Sequence, residues 1–368
     1  MRTLMVDLGE RSYPILIGQG ISAQISRHLA ARGVLPSSPL LVITDSNVAP
    51  LHLDGLKKAL TEGGYRVCEM IVPAGEASKS LVMLEEIVRV ALEAGLDRSS
   101  AIVALGGGVV GDLAGFAAAS YMRGIRFVQV PTTILAHDSS VGGKVAVNHP
   151  LAKNVIGAFH QPELVLYDMQ LLRTLPDRDV RAGLAEVLKE GLIFDKEYVE
   201  WLSDHADALL ALDPLTLENA LFEACRIKAD VVAQDEREGG LRALLNLGHT
   251  IGHALEAVAG YGTLLHGEAV AIGMVGAARL AAEFGRPRRI ADTTRDILLR
   301  FGCPVTIPSW LDTDAILDAM MHDKKFREGK MTFILLIDIG RAEISHSVTR
   351  EQVRRVIERL KQEELPCG

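Results

Sequence analysis

The sequence lacks a surplus of positive charge. Its 368 residues include 39 lysines and arginines against 47 aspartates and glutamates, which gives a formal net charge of −8. A polyanion such as nucleic acid would be repelled on average by this surface. We therefore expect no broad nucleic-acid interface.

Cysteines and long apolar runs are also scarce. The four cysteines contain no CxxC pair, and a chain of this length buries a core without disulfides, so we expect free thiols in a reducing cytoplasm. No uncharged apolar run reaches the roughly 18 to 20 residues of a membrane-spanning helix. Asp7, Glu10 and Arg11 interrupt the apolar core that a secretory signal needs. We predict no membrane span and a cytoplasmic location.

The first half of the chain has the pattern of an α/β domain. Short apolar runs alternate with amphipathic helical windows, and the runs lie at Leu40–Thr44, Tyr65–Val72, Ser100–Leu105 and Ile125–Val130. Apolar runs without alternation are typical of strands covered by helices on both faces. We predict an α/β nucleotide-binding domain with a mostly parallel sheet over residues 1–175.

The second half of the chain has a helical pattern. It is rich in Ala, Leu and Glu, with helical windows at Val180–Ile193, Leu215–Gln234 and Ala269–Phe284. The change falls at residues 174–177, where Pro176 followed by Asp177 favours a helix start. We predict a mostly α-helical second domain over residues 176–368, with one strand at Met331–Ile337 and a helix after Thr349.

A glycine-rich segment follows the predicted strand that ends at Leu105. It comprises Gly106, Gly107, Gly108, Val109, Val110, Gly111 and Asp112. Such glycines let the backbone approach a pyrophosphate at the N-terminus of the next helix. A closely packed strand-to-helix turn would use the same residues. The acid that a dinucleotide site usually has about 20 residues later is missing, because Ile125 to Ala136 contains none.

Polar residues follow two other predicted strands. Asp45 and Asn47 follow one strand, and Glu76 and Lys79 follow the next. These residues can bind ribose hydroxyls, but helix caps and Asx turns use the same residue types. The sequence pattern alone is compatible with both ribose binding and a local capping or turn role.

A second anion site is suggested by residues around a glycine pair. Asp138 to Lys144 include Gly142 and Gly143, Lys153 and Asn154 follow, and Arg123 precedes a strand. Lysines are usually solvated surface charges. The neighbouring glycines favour an anion-receiving loop here.

The helical half offers polar residues at helical spacing. Glu186 and Lys189 share a face opposite an apolar stripe, which is also the pattern of a surface salt bridge. Arg242 and Asn246 precede His249 and His253, and on one helix the four would line a single face toward a cleft.

The same half contains candidate metal ligands. Glu186, His249 and His266 would form the set of three protein ligands and one open position that catalytic zinc sites use. His249 and His253 form no HExxH motif, but as an i,i+4 pair they can bind a metal without His266. Well-bonded structural histidines are the alternative.

The motifs taken together resemble the dehydroquinate synthase family of sugar phosphate cyclases. The resemblance covers most of the chain. It is carried by Gly106–Asp112, Val130–Thr133, Asp138–Lys144, Asn148–Pro150, Lys153–Phe159, Glu186–Lys189, Asn246–Glu256, His266–Glu268 and Asp323–Lys325.

The resemblance implies a nucleotide-binding α/β domain, a helical metal-binding domain and a substrate site between them. It implies Glu186, His249 and His266 as ligands of zinc or cobalt. The NAD contacts that it implies are Asp45, Asn47, Glu76, Lys79, Gly108, Val109, Val110, Gly111, Asp112, Thr132, Thr133, Asp138, Lys144, Lys153, Leu171, Leu172, Arg173 and Thr174.

The implied reaction converts 3-deoxy-D-arabino-heptulosonate 7-phosphate to 3-dehydroquinate and phosphate in the shikimate pathway of aromatic amino-acid biosynthesis. NAD is used but regenerated, because an alcohol is oxidised, phosphate is eliminated and the ketone is reduced before ring opening and aldol closure. The residues implied to bind substrate or assist catalysis are Arg123, Lys144, Lys153, Asn154, Lys189, Lys228, Arg242, Asn246, His253 and one of Lys324 or Lys325. His253 is the candidate proton shuttle, and a homodimer is expected.

Two positions depart from the family pattern. Glu190 stands where many relatives have an aromatic residue or histidine, and the segment from Ala136 to Asp138 is one residue shorter than another common version.

Three other functions remain possible interpretations of the sequence: a cyclase with a different sugar phosphate, a metal-dependent polyol dehydrogenase that releases NADH, and a regulatory nucleotide-binding protein.

Overall fold

The computed structural model describes residues 1–260, 262–321 and 331–363. The strands in these ranges are β1 (Arg2–Val6), β2 (Tyr13–Gly18), β3 (Leu40–Asp45), β4 (Val67–Val72), β5 (Ala101–Gly106), β6 (Arg126–Pro131), β7 (Lys144–His149), β8 (Ala152–Phe159), β9 (Leu164–Asp168), β10 (Phe333–Asp338) and β11 (Arg341–Ser345). The helices are α1 (Ile25–Ala31), α2 (Asp54–Glu62), α3 (Leu81–Glu93), α4 (Gly108–Ser120), α5 (Ala136–Ser139), α6 (Asp177–Phe194), α7 (Lys196–Asp204), α8 (Ala206–Leu210), α9 (Pro214–Gln234), α10 (His249–Ala259), α11 (His266–Glu283), α12 (Arg289–Arg300), α13 (Thr313–Met321) and α14 (Arg350–Gln362).

The chain divides into two compact units. The first contains residues 1–176 and 214–237, and the second contains residues 177–213 and those from 238 onward. The sequence pattern predicted one helical domain over residues 176–368, whereas α9 belongs to the first unit. Contacts of α9 with β1 explain this, because Arg2 of β1 donates to Asn219 at 3.0 Å and the Arg2 guanidinium lies 3.3 Å from the ring centroid of Phe222.

A seven-stranded sheet forms the centre of the first unit. The strand order is β1-β2-β9-β6-β5-β3-β4, and every pair is parallel except β1 with β2. Leu40 and Val42 of β3 pack on one face, and Leu41 and Ile43 pack on the other. Because helices cover both faces, these strands carry apolar side chains at successive positions. The predicted parallel sheet is confirmed.

The N-terminal hairpin and the three strands after β6 were not predicted. β1 alternates between half-buried and exposed positions, and β7 and β8 form a separate antiparallel hairpin that is half exposed. In β1, β7 and β8 the exposed positions remove the uninterrupted apolar run that marked the central strands, whereas β2 and β9 are almost fully buried and were missed for no such reason.

The second unit is helical apart from the hairpin β10–β11, among the residues that are described. The late strand and the helix after Thr349 were predicted correctly. One expectation was wrong: Leu241–Asn246 form a 3-10 helix that is separate from α10. Gly248 breaks the segment because its backbone is left-handed, with φ 81°. No helix in the described residues is long and apolar enough to cross a membrane.

Helices α10 and α11 approach one another through glycines. A Cβ on Gly273 would lie 2.0 Å from the carbonyl oxygen of Gly248, and one on Gly252 would lie 3.1 Å from the backbone of Ala269. The absent side chains let the two backbones come this close. His249 and His253 of α10 are thereby fixed against the first turn of α11.

We predict that Gly273→Ala destabilises the protein by about 1–3 kcal/mol, because the new methyl group meets backbone that cannot rotate away. Gly55→Ala is the matched control, since Gly55 lies in the exposed first turn of α2 with no atom within 4 Å of an added Cβ. It should stabilise by up to about 1 kcal/mol through helix propensity. Urea unfolding of both variants tests the contrast, and equal midpoints would contradict the close contact.

Candidate active site

The carboxyl ends of β3 and β5 lie side by side in the first unit. From β3 the chain continues to β4 on one side, whereas from β5 it continues to β6 on the other. Ligands of open α/β sheets bind where the strand order reverses in this way. Asp45 ends β3 and Gly106 ends β5, so two sequence-predicted segments meet at this edge.

The glycine-rich segment turns directly from β5 into α4. A Cβ on Gly107 would lie 2.9 Å from Cγ2 of Thr133, and one on Gly111 would lie 2.9 Å from Oε1 of Gln129, so close packing alone requires these glycines. No side chain caps the N-terminus of α4, which leaves its first N–H groups for an anion. Nearby, the hydroxyl of Thr132 is buried with no hydrogen-bond partner among the described residues.

Asp45 and the turn after β9 have local partners. Oδ1 of Asp45 accepts hydrogen bonds from the backbone N–H groups of Asn47 and Val48 at 2.8 and 3.0 Å, which closes an Asx turn. Leu171–Thr174 form a 3-10 helix. Oγ1 of Thr174 lies 2.8 Å from Nε2 of His52.

Lys79 lies at the centre of a buried ionic cluster. Its Nζ donates to Oδ2 of Asp112 at 2.6 Å and to Oδ1 of Asn154 at 2.5 Å, and Oε1 of Glu76 lies 3.7 Å away. Burial lowers the pKa of Lys79, but the charges of Asp112 and Glu76 outweigh it and raise that pKa overall. The ammonium therefore stays charged and joins three segments that are distant in sequence.

Lys228 of α9 contacts Asp138 of α5. Its Nζ donates to the carboxylate Oδ1 at 2.6 Å and also to the Asp138 carbonyl oxygen, and Lys228 is buried. The prediction that Lys228 belongs to the helical domain is wrong, because α9 packs on β1 and β2. Lys144 begins β7 and is exposed, Lys153 of β8 is half-buried, and Arg123 is exposed.

Four polar side chains of the second unit converge on one point. The ligand nitrogens of His249, His253 and His266 all lie within 4.8 Å of one another. Oε1 of Glu186, on α6, lies 3.3 Å from Nε2 of His266 and 3.8 Å from Nε2 of His249. Glu186 is fully buried. The geometry thus brings together the predicted set and also the alternative ligand His253.

The imidazole of His266 is oriented by a residue that the sequence analysis missed. Its Nδ1 lies 3.0 Å from Oε2 of Glu256, a buried carboxylate. A carboxylate on Nδ1 directs Nε2 toward a metal, the arrangement seen around many zinc-bound histidines. Glu256 follows His249 and His253 at helical spacing on α10, and this i, i+4, i+7 pattern was the available signal.

The buried carboxylates of this cluster favour a positive charge beside them. Burial lowers the pKa of His266, but its bonds to Glu186 and Glu256 outweigh that effect and raise the pKa to about 10. Burial lowers the pKa of His249 well below its usual value. One imidazole therefore favours its cationic form and the other its neutral form. A divalent cation among neutral imidazoles and a carboxylate satisfies the same demand.

Lys189 completes the charge balance around Glu186. Its Nζ lies 2.7 Å from Oε2 of Glu186 and 3.6 Å from Oε1 of Glu190, and all three residues are buried. The surface salt bridge that the sequence pattern allowed is therefore excluded. Glu190, which departs from the family pattern, lies in this ionic cluster.

Arg242 and Asn246 lie on the 3-10 helix that precedes α10. Arg242 is buried, and Nδ2 of Asn246 donates to Oε1 of Glu238 at 2.7 Å. Glu238 was not singled out by the sequence analysis because it lies in a loop without periodicity. Lys324 and Lys325 lie outside the described residues.

Two solved structures closely match this fold. A 2-deoxy-scyllo-inosose synthase complexed with carbaglucose-6-phosphate, NAD+ and Co2+ has a TM-score of 0.90 at 29% identity, covering 97% of this chain and 100% of that chain. A 2-epi-5-epi-valiolone synthase from Streptomyces hygroscopicus subsp. jinggangensis, with NAD+ and Zn2+ bound, has a TM-score of 0.85 at 29% identity, covering 96% and 98%. The fold is that of the sugar phosphate cyclases.

Sequence comparison identifies the family of this chain within the sugar phosphate cyclases. Models of the 3-dehydroquinate synthase N-terminal and C-terminal regions match residues 69–182 and 183–326. A curated 3-dehydroquinate synthase from Desulforamulus reducens is 47% identical over 359 residues, which is 97% of this chain and 99% of that protein. The chain belongs to the 3-dehydroquinate synthase family.

The raised pKa of His266 predicts a pH-dependent stability of the metal-free protein. The folded-state pKa of about 10 exceeds the ordinary value of 6.5, so the stabilisation is complete below pH 6.5 and is lost as the pH rises through about 10. With a chelator present, the urea midpoint should fall more between about pH 7 and about pH 9.5 in the wild type than in His266→Asn. An equal fall of the urea midpoint with pH in the two proteins would contradict the ion pairs of His266 with Glu186 and Glu256.

Proposed function

We propose that this chain catalyses the 3-dehydroquinate synthase reaction with catalytic NAD and a divalent metal. It converts 3-deoxy-D-arabino-heptulosonate 7-phosphate to 3-dehydroquinate and phosphate, as a carbon–oxygen lyase of the shikimate pathway. The observation that carries the proposal is the convergence of Glu186, His249 and His266 in a chain that is 47% identical to a 3-dehydroquinate synthase.

Glu186, His249 and His266 are the proposed metal ligands. One carboxylate oxygen faces both Nε2 atoms, and Glu256 accepts from Nδ1 of His266, so the donor set suits zinc or cobalt. When bound, such an ion polarises a carbonyl and holds adjacent hydroxyls. His253 is then available beside the ligands to move a proton to or from a substrate hydroxyl.

The carboxyl edge of the parallel sheet is the proposed NAD site. The N-terminus of α4 would receive the pyrophosphate, and Asp45 and the hydroxyl of Thr132 would bind polar groups of the nucleotide. When bound, NAD accepts a hydride and returns it within the same turnover, which leaves no net redox change. The other proposed contacts are Asn47, Glu76, Lys79, Gly108, Val109, Val110, Gly111, Asp112, Thr133, Asp138, Lys144, Lys153, Leu171, Leu172, Arg173 and Thr174.

Cationic and amide side chains are the proposed substrate contacts. Arg242 suits the carboxylate, because its guanidinium makes paired hydrogen bonds to a planar anion. Clustered cations would also attract the phosphate to a protein whose net charge is −8. The remaining proposed contacts are Arg123, Lys144, Lys153, Asn154, Lys189, Lys228, Asn246 and one of Lys324 or Lys325.

A cytoplasmic homodimer is part of the same proposal. The described cysteines Cys68, Cys225 and Cys303 form no disulfide, which fits a reducing compartment. The homodimer rests on the family resemblance.

We predict that the purified protein with NAD and zinc releases phosphate from the heptulosonate phosphate and forms dehydroquinate without accumulating NADH. Phosphate assays and absorbance of NADH are followed together. Glucose 6-phosphate, which lacks the carboxylate, is the control substrate and should release no phosphate. Stoichiometric NADH would favour a dehydrogenase, turnover of the control substrate would favour another cyclase, and tight NAD binding without turnover would favour a regulator.

The metal assignment predicts different effects for neighbouring histidines. Glu186→Ala, His249→Ala and His266→Ala should each lose most bound metal, because three protein ligands hold the ion. His253→Ala should retain metal and lose turnover. Metal content per chain is measured after dialysis, and substrate turnover is measured for the same variants.

One combined result would change the assignment of the metal ligands. Equal metal loss in His253→Ala, together with full retention in His266→Ala, would make His249 and His253 the ligand pair.

Glu256→Ala should weaken metal binding by about 10- to 100-fold without removing a ligand, since Glu256 only orients His266.

A further inference from the structure

The hairpin β7–β8 contains an irregularity at the residues proposed to bind ligands. Val147 pairs with Ile156 and His149 pairs with Ala152, so one residue of β7 opposes three residues of β8. The single residue is Asn148, and the three include Lys153 and Asn154. Asn154 has a left-handed backbone with φ 54°. Such a bulge interrupts the regular ladder and leaves backbone groups to be bonded in another way.

The side chain of Asn148 supplies the hydrogen bond that the ladder lacks. Its Oδ1 accepts from the backbone N–H of Asn154 at 2.8 Å. Its Nδ2 donates to Oε1 of Glu76 at 2.7 Å. The backbone N–H can only donate and the carboxylate can only accept, so these partners fix the orientation of the amide.

The same residue connects the bulge to the loop after β4. The backbone N–H of Asn148 donates to the carbonyl oxygen of Lys79 at 2.8 Å. Lys79 in turn donates to Oδ1 of Asn154 and to Asp112. A closed circuit of hydrogen bonds therefore passes through Asn148, Asn154, Lys79 and Glu76, and Asn148 bonds directly to each of the other three.

We propose that Asn148 is a positioning residue that sets the conformation of the Lys153–Asn154 bulge and fixes it to the loop containing Glu76 and Lys79. The proposal rests on the proposed function in one respect, because the bulge and the loop are there taken to contact ligands. Asn148 itself touches neither reacting atoms nor cofactor in this scheme. It acts by holding Lys153 and Asn154 in one conformation before the ligand arrives.

The amide is required for its chemistry as well as its shape. Asn148→Asp keeps an acceptor for the N–H of Asn154 but places a carboxylate against Glu76. Asn148→Ala removes both bonds. In Asn148→Asp/Glu76→Gln, the donor and the acceptor exchange places and the circuit closes again. A residue that only filled space would gain nothing from this second substitution.

The experiment measures hydrogen exchange of the Asn154 amide together with kinetics. We expect exchange at Asn154 to be at least about tenfold faster in Asn148→Ala and Asn148→Asp, with global unfolding midpoints near that of the wild type. Adding Glu76→Gln to Asn148→Asp should restore slow exchange. For turnover, kcat/KM should fall at least about tenfold in the two single variants.

His149→Ala is the matched control within the hairpin. Nδ1 of His149 accepts from the backbone N–H of Leu151, and no bond joins it to Glu76 or Lys79. Exchange at Asn154 and kcat/KM should match those of the wild type. Wild-type exchange in Asn148→Ala, or no recovery in the double variant, would overturn the positioning role.

The exchange data separate this inference from the proposed function. A wild type without turnover, combined with fast exchange in Asn148→Ala and recovery in the double variant, would contradict the function and leave the positioning role intact. Normal turnover in Asn148→Ala with fast exchange would show that the bulge conformation does not serve the ligand, and would overturn the functional part of the inference.

Discussion

The buried carboxylate of Glu186 is the constraint on which the second unit depends. A carboxylate removed from water is stable only beside compensating positive charge or strong donors. Lys189 supplies one partner on the same helix, and the imidazoles of His249 and His266 face one carboxylate oxygen. Three helices, α6, α10 and α11, must therefore stay in register for the charge to be tolerated, and the glycine contacts between α10 and α11 keep them there.

The first unit also contains a buried ionic cluster, formed by different residues. Lys79 is buried between Asp112 and Glu76 and bonds to Asn154. In both units an ion cluster fixes polar groups that come from separate segments of the chain. Such clusters add little net stability, since desolvation opposes the attraction, but they fix geometry because a buried charge that loses its partner is costly. This explains why many of the residues with predicted chemical roles also bear ionic contacts.

Part of the fold could be predicted from sequence, and the missed part has a physical reason. The central strands were recognisable because both faces are buried, as at Leu40 to Ile43. The hairpin strands β7 and β8 were missed because half-exposed positions interrupt their apolar pattern. The single helix expected from Arg242 to His253 does not exist, because spacing alone does not reveal the left-handed backbone of Gly248.

The candidate sites show the same limit. Residue types and spacing named Glu186, His249 and His266 as one candidate set and left His253 as an alternative ligand, and the structure brings all four side chains together. Glu256 and Asn148 were missed because each acts on another residue, His266 or the backbone of Asn154, rather than on a ligand. Whether a lysine pairs with an acid or with solvent also depends on tertiary contacts, as the buried Lys79 and Lys228 illustrate.

The membership of α9 in the first unit bears on how the chain is synthesised. β1 emerges from the ribosome before α9, because Asn219 and Glu236, which bond to Arg2 and to Arg11, are made more than 200 residues later. The nascent first unit must therefore wait for most of α6 to α9 before its outer strand is covered. A fragment that stopped at Pro176 would leave β1 and β2 without that helix, so the two units are not separable by a single cut in the gene.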